Sequence, residues 1–274
     1  METGSQRFHY YHADANAIGG ALHRPLKKTI SGPASVSLPA AGGFTSTRCD
    51  EFHFDDVVSC SSALCRVSGS EDEKTGDCTT LVTAAVEGFN LLDMVTADRI
   101  VSQISTERPT GSHTPRITFV GSQFVGLRIA GFPVEPIINL KVLAPPYDDT
   151  KRSPWLKNKE LLKSVREQHD KRVAHDPKPP GWLVNRYGWV KDESKVGDHG
   201  HLIASLVDGF KGTIPGKVWG HIVEIPGVGT FYFGEVSIYD HMYRLTMVRA
   251  QIGSPTGGDV SGPTTGSNGG TTGP

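Results

Sequence analysis

The 274-residue sequence predicts an all-β protein with a solenoid-like or sandwich core, one inserted α-helix and a disordered C-terminal tail. Three observations carry that prediction. First, 32 glycines and 18 prolines against 8% aromatic residues mean many turns and short elements rather than long helices. Second, extended segments rich in β-branched and aromatic residues alternate with turn-formers such as Gly19-Gly20, Gly42-Gly43, Gly69 and Gly121. Third, one apolar cassette recurs: Ala15 to Gly19, Val57 to Ser61, Phe89 to Asp93, Leu127 to Gly131 and Val236 to Asp240. In each, small or apolar residues two apart share one face of a strand, and a turn-former ends it. The starts are 42, 32, 38 and 109 residues apart, too uneven for a strict repeat. They suit strands joined by loops of varying length, or a degenerate solenoid with an insertion.

Residues 1–145 read as a β-rich core. Asp93 to Asp98 followed by Arg99 to Ser105 also offers a turn and a short helix through Ala97, Ile100, Val101 and Ile104, but the alternation Ile100-x-Ser102-x-Ile104 favours a strand. Residues 146–181 read as a helical insertion: Ser153 as N-cap, Pro154 at the first helical position, then Leu162, Val165, His169 and Val173 as one apolar stripe, stopped by Pro177 and Pro179-Pro180. Residues 182–253 read as the second β-rich part of the same core, with a hairpin turn over 226–229, and the segment from Gly181 to Val190 is taken as extended. Residues 254–274 are almost wholly Gly, Ser, Thr and Pro, a composition that predicts disorder because little apolar area offsets the ordering entropy.

Composition narrows the function classes. With 28 basic and 29 acidic residues the net charge is -1, which offers no global argument for nucleic acid. No apolar run approaches the roughly 20 residues that span a bilayer, and the first eleven residues do not resemble a cleavable leader. The compartment is therefore the cytoplasm by default, with export by another route left open. Cys49, Cys60, Cys65 and Cys78 form no CxxC pair and are expected to be reduced, partly buried small residues. No G-x-S-x-G, Walker or H-E-x-x-H motif occurs, and carboxylates such as Asp55-Asp56 sit beside turns, where solvation explains them. Scattered acids of a polysaccharide-cleaving enzyme would escape a motif reading.

Two clusters are candidate sites. His199-x-His201 after Asp198 could present both imidazoles on one strand face to a zinc ion, with His221 or Glu224 as a third ligand; a polar turn is the plainer reading. His9 and His12 near Asp14 make a weaker version, being three apart and so on opposite faces. All four tryptophans, Trp155, Trp182, Trp189 and Trp219, fall with Tyr187 between 155 and 219. Trp182, Tyr187, Trp189 and Trp219 could form an aromatic platform for a sugar or a partner protein, or could seal a helix against a sheet. The segment 151–180 carries nine basic and four acidic residues, a net +5 that a solvated helix face accounts for.

The runs Thr83 to Asp98 (TAAVEGFNLLDMVTAD) and Gly121 to Val134 (GSQFVGLRIAGFPV) resemble those of bacterial choice-of-anchor P-type β-domains. The resemblance covers about residues 80–135 and implies a β-rich, repeat-like scaffold, often displayed outside cells, with no established chemistry. The function expected from the sequence is thus a non-enzymatic structural or binding β-domain that assembles with itself or with another protein. A carbohydrate-binding or carbohydrate-cleaving protein using the tryptophans is the first alternative, and a zinc-binding protein using His199 and His201 the second.

Overall fold

A computed structural model describes residues 8–112, 114–143, 154–192, 200–239, 242–253 and 257–272. Two antiparallel sheets, of ten and eleven strands, pack face to face around one apolar core; neither closes into a barrel. Of the two architectures the sequence allows, the strands form the sandwich. The ten-stranded sheet is built on a long hairpin, Cys78–Leu91 with Val95–Arg108, flanked by Ser62–Glu71 and then Gly43–Cys49. The eleven-stranded sheet is built on Gly229–Tyr239 and Tyr243–Ile252, and it includes Ala13–Asn16 and Gly19–Arg24 from the other end of the chain. Small residues let the sheets approach closely: Ser102 Oγ lies 2.9 Å from Thr265 Oγ1 and 3.3 Å from the Leu245 carbonyl of the opposite sheet.

The cassettes do not stack as a solenoid's coils would. The second and third pair antiparallel, Val58 opposite Leu91 and Ser59 opposite Asn90, and the fourth joins the same sheet through Ile129 opposite Val95. The first and fifth belong to the other sheet.

Left-handed glycines set which face each strand buries. Up to Val86 the core side chains of the long hairpin are Val82, Ala84 and Val86; past Gly88, at φ 57°, they are Phe89 and Leu91. The change of phase returns both ends of one 14-residue strand to the core. Each of the Val, Phe and Leu side chains among them contributes about 1.5–3 kcal/mol by leaving water.

Two expectations are corrected. Residues 257–272 of the C-terminal segment form strands: Gly257–Ser261 pairs with Tyr243–Ile252 and Gly19–Arg24, while Thr264–Ser267 sits between Ala13–Asn16 and Tyr243–Ile252. A strand flanked on both sides satisfies its backbone from two neighbours, and its poverty in apolar side chains is then no obstacle to order. The insertion is also more helical than expected, with α1 (Pro154–Lys157), α2 (Lys159–Val173) and α3 (Gly181–Tyr187), followed by a 3₁₀ turn over Gly188–Lys191. Asn158 caps α2 by accepting from the Leu161 N–H at 3.0 Å. Residues 181–190 are helical rather than extended, because Leu183 and Tyr187, four apart, are buried on one face after Pro180. Ser153 lies outside the described residues. The Asp98–Thr106 segment is a strand, the 226–229 turn is present, and the four cysteines are free thiols. Burial pushes the Cys60 thiol up to about 11, with Cys49 nearby adding to the effect, and burial alone takes Cys65 to about 12.

Candidate functional site: an apolar pocket at the end of the sandwich

The aromatic cluster is core. Trp219 is 3% exposed and Tyr187 is equally buried; with Leu183, Ile222 and Tyr232 they form a second small core that holds α3 on the eleven-stranded sheet. Trp182, 37% exposed, meets Trp219 and Tyr232 edge-on at 5.9 and 6.3 Å. Trp189 packs near His201 at 5.5 Å, and Trp155 is buried with its Nε1 donating to the Pro115 carbonyl at 3.2 Å. The rings meet edge-to-face, and the burial of Tyr187 and Trp219 matches the second of the two alternatives, a helix sealed against a sheet.

Among the described residues, His201 does not meet His221 or Glu224. Along the Gly229–Tyr239 strand, His201 lies opposite Tyr239 and the His221 carbonyl accepts from Phe233. Six positions of strand put them about 20 Å apart. His201 stacks on Tyr239 at 5.6 Å, and His221 is fully buried beside Glu235. Glu224 lies opposite Thr230, farther still from His201. His12 bonds Asn268 and His9 packs edge-on to Tyr11 at 4.6 Å. His199 and Asp198 lie outside the described residues, among which no group of three metal-binding side chains forms.

Beneath α3 lies a buried ionic cluster that the sequence reading missed. Glu235 is 5% exposed and accepts from Tyr187 Oη, from Arg249 Nε at 2.9 Å and from Arg186 at 3.3 Å, with His221 Nε2 at 3.6 Å. Arg172 of α2, 4% exposed, lies over the Tyr187 ring at 4.3 Å, and Arg249 over Tyr232 at 3.7 Å. Burial alone raises a carboxyl pKa, but here His221 and the guanidiniums of Arg249 and Arg186 bring Glu235 well below its usual range. Tyr187 is raised by burial and by the neighbouring Glu235 charge. Arg186 and Tyr187 tie α3 to Glu235 on the sheet, and Arg172 ties α2 to Tyr187. A Glu within the apolar run Phe231 to Ile238 was the available signal, since a charge there has to be paired.

Gly234 directs Glu235 into this cluster. Phe231 and Phe233 face the sandwich core, yet so do Val236 and Ile238, because Gly234 at φ 63° changes the phase between them. A Cβ there would lie 3.1 Å from Val207 Cγ2 and 3.3 Å from Leu206 Cβ. Gly234→Ala is therefore expected to cost about 2 kcal/mol, from left-handed strain plus crowding, measured as a lower urea midpoint.

The concavity suited to a ligand lies elsewhere, where hairpin turns of the two sheets meet. A pocket of about 460 Å³ is walled by Leu22, Val57, Leu92, Met94, Val228 and Ile252, with Pro25, Leu26 and Gly227 around it. Its polar groups are Lys28, Asp55 and Asp56; Lys28 Nζ bonds Asp55 Oδ2 at 2.6 Å. Backbone bonds hold the turns: Leu92 N to the Val57 carbonyl at 2.9 Å, Val228 N to Ile225 at 3.1 Å and Gly253 N to Val228 at 2.9 Å. Three of the four non-glycine residues with left-handed backbone among those described cluster here: Asp55 at φ 46°, Leu92 at 56° and its neighbour Asp93 at 55°. A β-turn of branched or acidic residues held in this region stores about 1–3 kcal/mol per residue. Asn90 steadies the second turn, accepting from the Asp93 N–H at 2.9 Å and donating to its carboxylate at 2.6 Å. None of the candidate site residues read from the sequence contributes to the walls, which come from five stretches far apart in the chain; Val57 and Leu92 belong to two of the strand cassettes, which read as scaffold.

No curated protein and no solved structure matches the chain. A family model described as a domain of unknown function, DUF8256, matches residues 9–239, a span that includes both the helical insertion and four of the five stretches lining the pocket. With well over half of its length inside that match, the chain belongs to the DUF8256 family.

Proposed function

We propose that this chain is a binding domain that takes the apolar body of a small molecule into the end pocket. The pocket itself carries the reading: about 460 Å³ of concave, mainly apolar space lies within the range of small-molecule sites. Its few polar groups stand together at Lys28, Asp55 and Asp56, as expected for a site that buries a hydrocarbon portion and orients a polar end. Strained turns at Asp55 and Leu92 add support, since such backbone persists where the surroundings hold it in place. In the buried ionic cluster, by contrast, the Glu235 carboxylate is engaged by Tyr187, Arg249 and Arg186, contacts that anchor α3. A display scaffold, implied by the resemblance over residues 80–135, is compatible with such a pocket and would present it outside the cell. Among the described residues no helix is long and apolar enough to cross a membrane.

Fluorescence titration with N-phenyl-1-naphthylamine tests the reading. The expected result is saturable enhancement with one site per chain. Met94→Trp, which fills half-buried space at the pocket wall, is expected to weaken that binding at least tenfold, an effect of about 1.4 kcal/mol, while far-ultraviolet circular dichroism stays unchanged. Enhancement that never saturates, or affinity untouched by Met94→Trp in a folded variant, would count against it.

A further inference from the structure

Seven residues, Gly43–Cys49, form an outer strand of the ten-stranded sheet, paired on one side with Ser62–Glu71 from Gly43 opposite Gly69 to Cys49 opposite Ala63. Among the described residues no strand pairs with its other side. The other edges of the two large sheets are guarded by length or by cover. Lys28–Ile30, Ser35–Ser37, Phe52–Phe54 and Lys217–Trp219 are three residues each. His201–Ser205 is longer, but Gln168 of α2 caps it, accepting from the Ser205 N–H at 3.0 Å and donating to the Ser205 carbonyl at 2.9 Å. Short edges and covering elements are the usual protection against strand addition. Gly43–Cys49 has neither: it contains no proline, and its single charge, Arg48, is tied to Asp50 at 2.8 Å. Its outward row is Phe44, Ser46 and Arg48, with Phe44 67% exposed.

We propose that two copies of this chain pair antiparallel along this edge, joining their ten-stranded sheets into one. The strand is complementary to itself about a two-fold axis through Ser46. In that register Phe44 of one copy faces Arg48 of the other, a cation–π pair, and Thr45 faces Thr47. Arg48 never meets Arg48, so no like charges oppose each other. Such a contact is isologous and closes at two copies, which a head-to-tail edge would not.

Light scattering after size exclusion, over a concentration series, reads the assembly directly. The wild type is expected at twice the chain mass. Ser46→Lys sets two ammonium groups face to face on an exposed row and is expected to give a folded monomer; Ser46→Glu is expected to do the same. An equimolar mixture of the two restores the dimer if the axis passes through Ser46. Directly opposed residues in an antiparallel pair have Cα atoms about 4.5–5.5 Å apart, within disulfide range, so Ser46→Cys is expected to cross-link two chains on mild oxidation while the wild type does not. A wild type that stays monomeric throughout the series overturns the proposal. So does a dimer that survives Ser46→Lys or a mixture that fails to reassociate.

Discussion

Glu235→Ala is expected to destabilise the fold by about 3–5 kcal/mol, the largest effect of any single substitution outside the sandwich core. Removing this carboxylate leaves Arg186 and Arg249 without their shared acceptor and leaves Arg172, buried over Tyr187, with no negative charge inside the cluster to offset it. Three guanidiniums already surround one carboxylate, so the sign of the change matters more than its size. Arg249→Met, which removes a positive charge and keeps much of the packing over Tyr232, is expected to cost clearly less than Glu235→Ala. Urea unfolding with a shared slope measures both. The loss should also be local: α3 is held by Arg186, Tyr187 and the small core around Trp219, so limited proteolysis is expected to cut first within 181–192. Equal costs for the two variants, or a Glu235→Ala loss under about 1 kcal/mol, would mean that the cluster is not the anchor described.

The fold was largely legible because strand alternation is a local property. The long hairpin from Cys78 to Arg108 announces itself through Val82, Ala84, Val86, Ile100 and Ile104, and a helical reading of 98–106 fails once its neighbours are strands. Residues 181–190 misled because Trp, Val and Tyr favour strands by composition, whereas burial of Leu183 and Tyr187 against the sheet decided for helix. The tail misled for the opposite reason. Disorder was inferred from its few apolar side chains, but Gly258 lies against the Leu22 backbone and Gly262 against the Phe89 ring, positions where bulk would obstruct close approach. Glycine there is a packing requirement, and Val260 and Thr265 are fully buried.

The sites were less legible than the fold, and the reason is range in sequence. The pocket joins residues 22–28, 55–57, 92–94, 227–228 and 252; Val57 and Leu92 belong to strand cassettes, but none of these stretches carries a binding or catalytic motif. In the sequence Asp55-Asp56 reads as a solvated turn; in the fold that turn forms a rim, with Asp55 paired to Lys28 from the other sheet. Tryptophans attract a binding hypothesis because of their area, but area is equally what a helix needs to stay on a sheet. Glu235 and Arg172 carried the better signal, as charges set within apolar faces of a strand and a helix.

A second large effect follows from His221. The ring is fully buried, its nitrogens find no hydrogen-bond partner among the described residues, with Glu235 Oε1 3.6 Å from Nε2, and burial, reinforced by the charge of Arg172 and outweighing the opposing pull of Glu235, lowers its pKa to about 4 from 6.5. Unfolding returns the ring to water, where it takes up a proton below pH 6.5. The unfolded chain thus binds more protons between pH 6.5 and 4, and stability is full above that window and lost as the pH falls through it, by up to about 3 kcal/mol. Glu235 acts in the same direction at lower pH: its pKa is depressed, so its contribution is present above about pH 4.5 and lost below. His9, lowered to about 4 by burial and by Arg108, adds to the first window. His221→Phe keeps an aromatic ring for the edge-on contact that His221 makes with Tyr187 at 5.7 Å and removes the titration. Its stability near pH 7 is expected to stay within about 1.5 kcal/mol of wild type, while the decline between pH 6.5 and 4 becomes markedly shallower. Chemical denaturation at a series of pH values separates the two effects. A decline as steep as the wild type's would assign the acid sensitivity to His9 and the surface carboxylates, because Arg172, Arg186, Glu235 and Tyr187, the charged and titratable groups packed around residue 221, all remain in the variant.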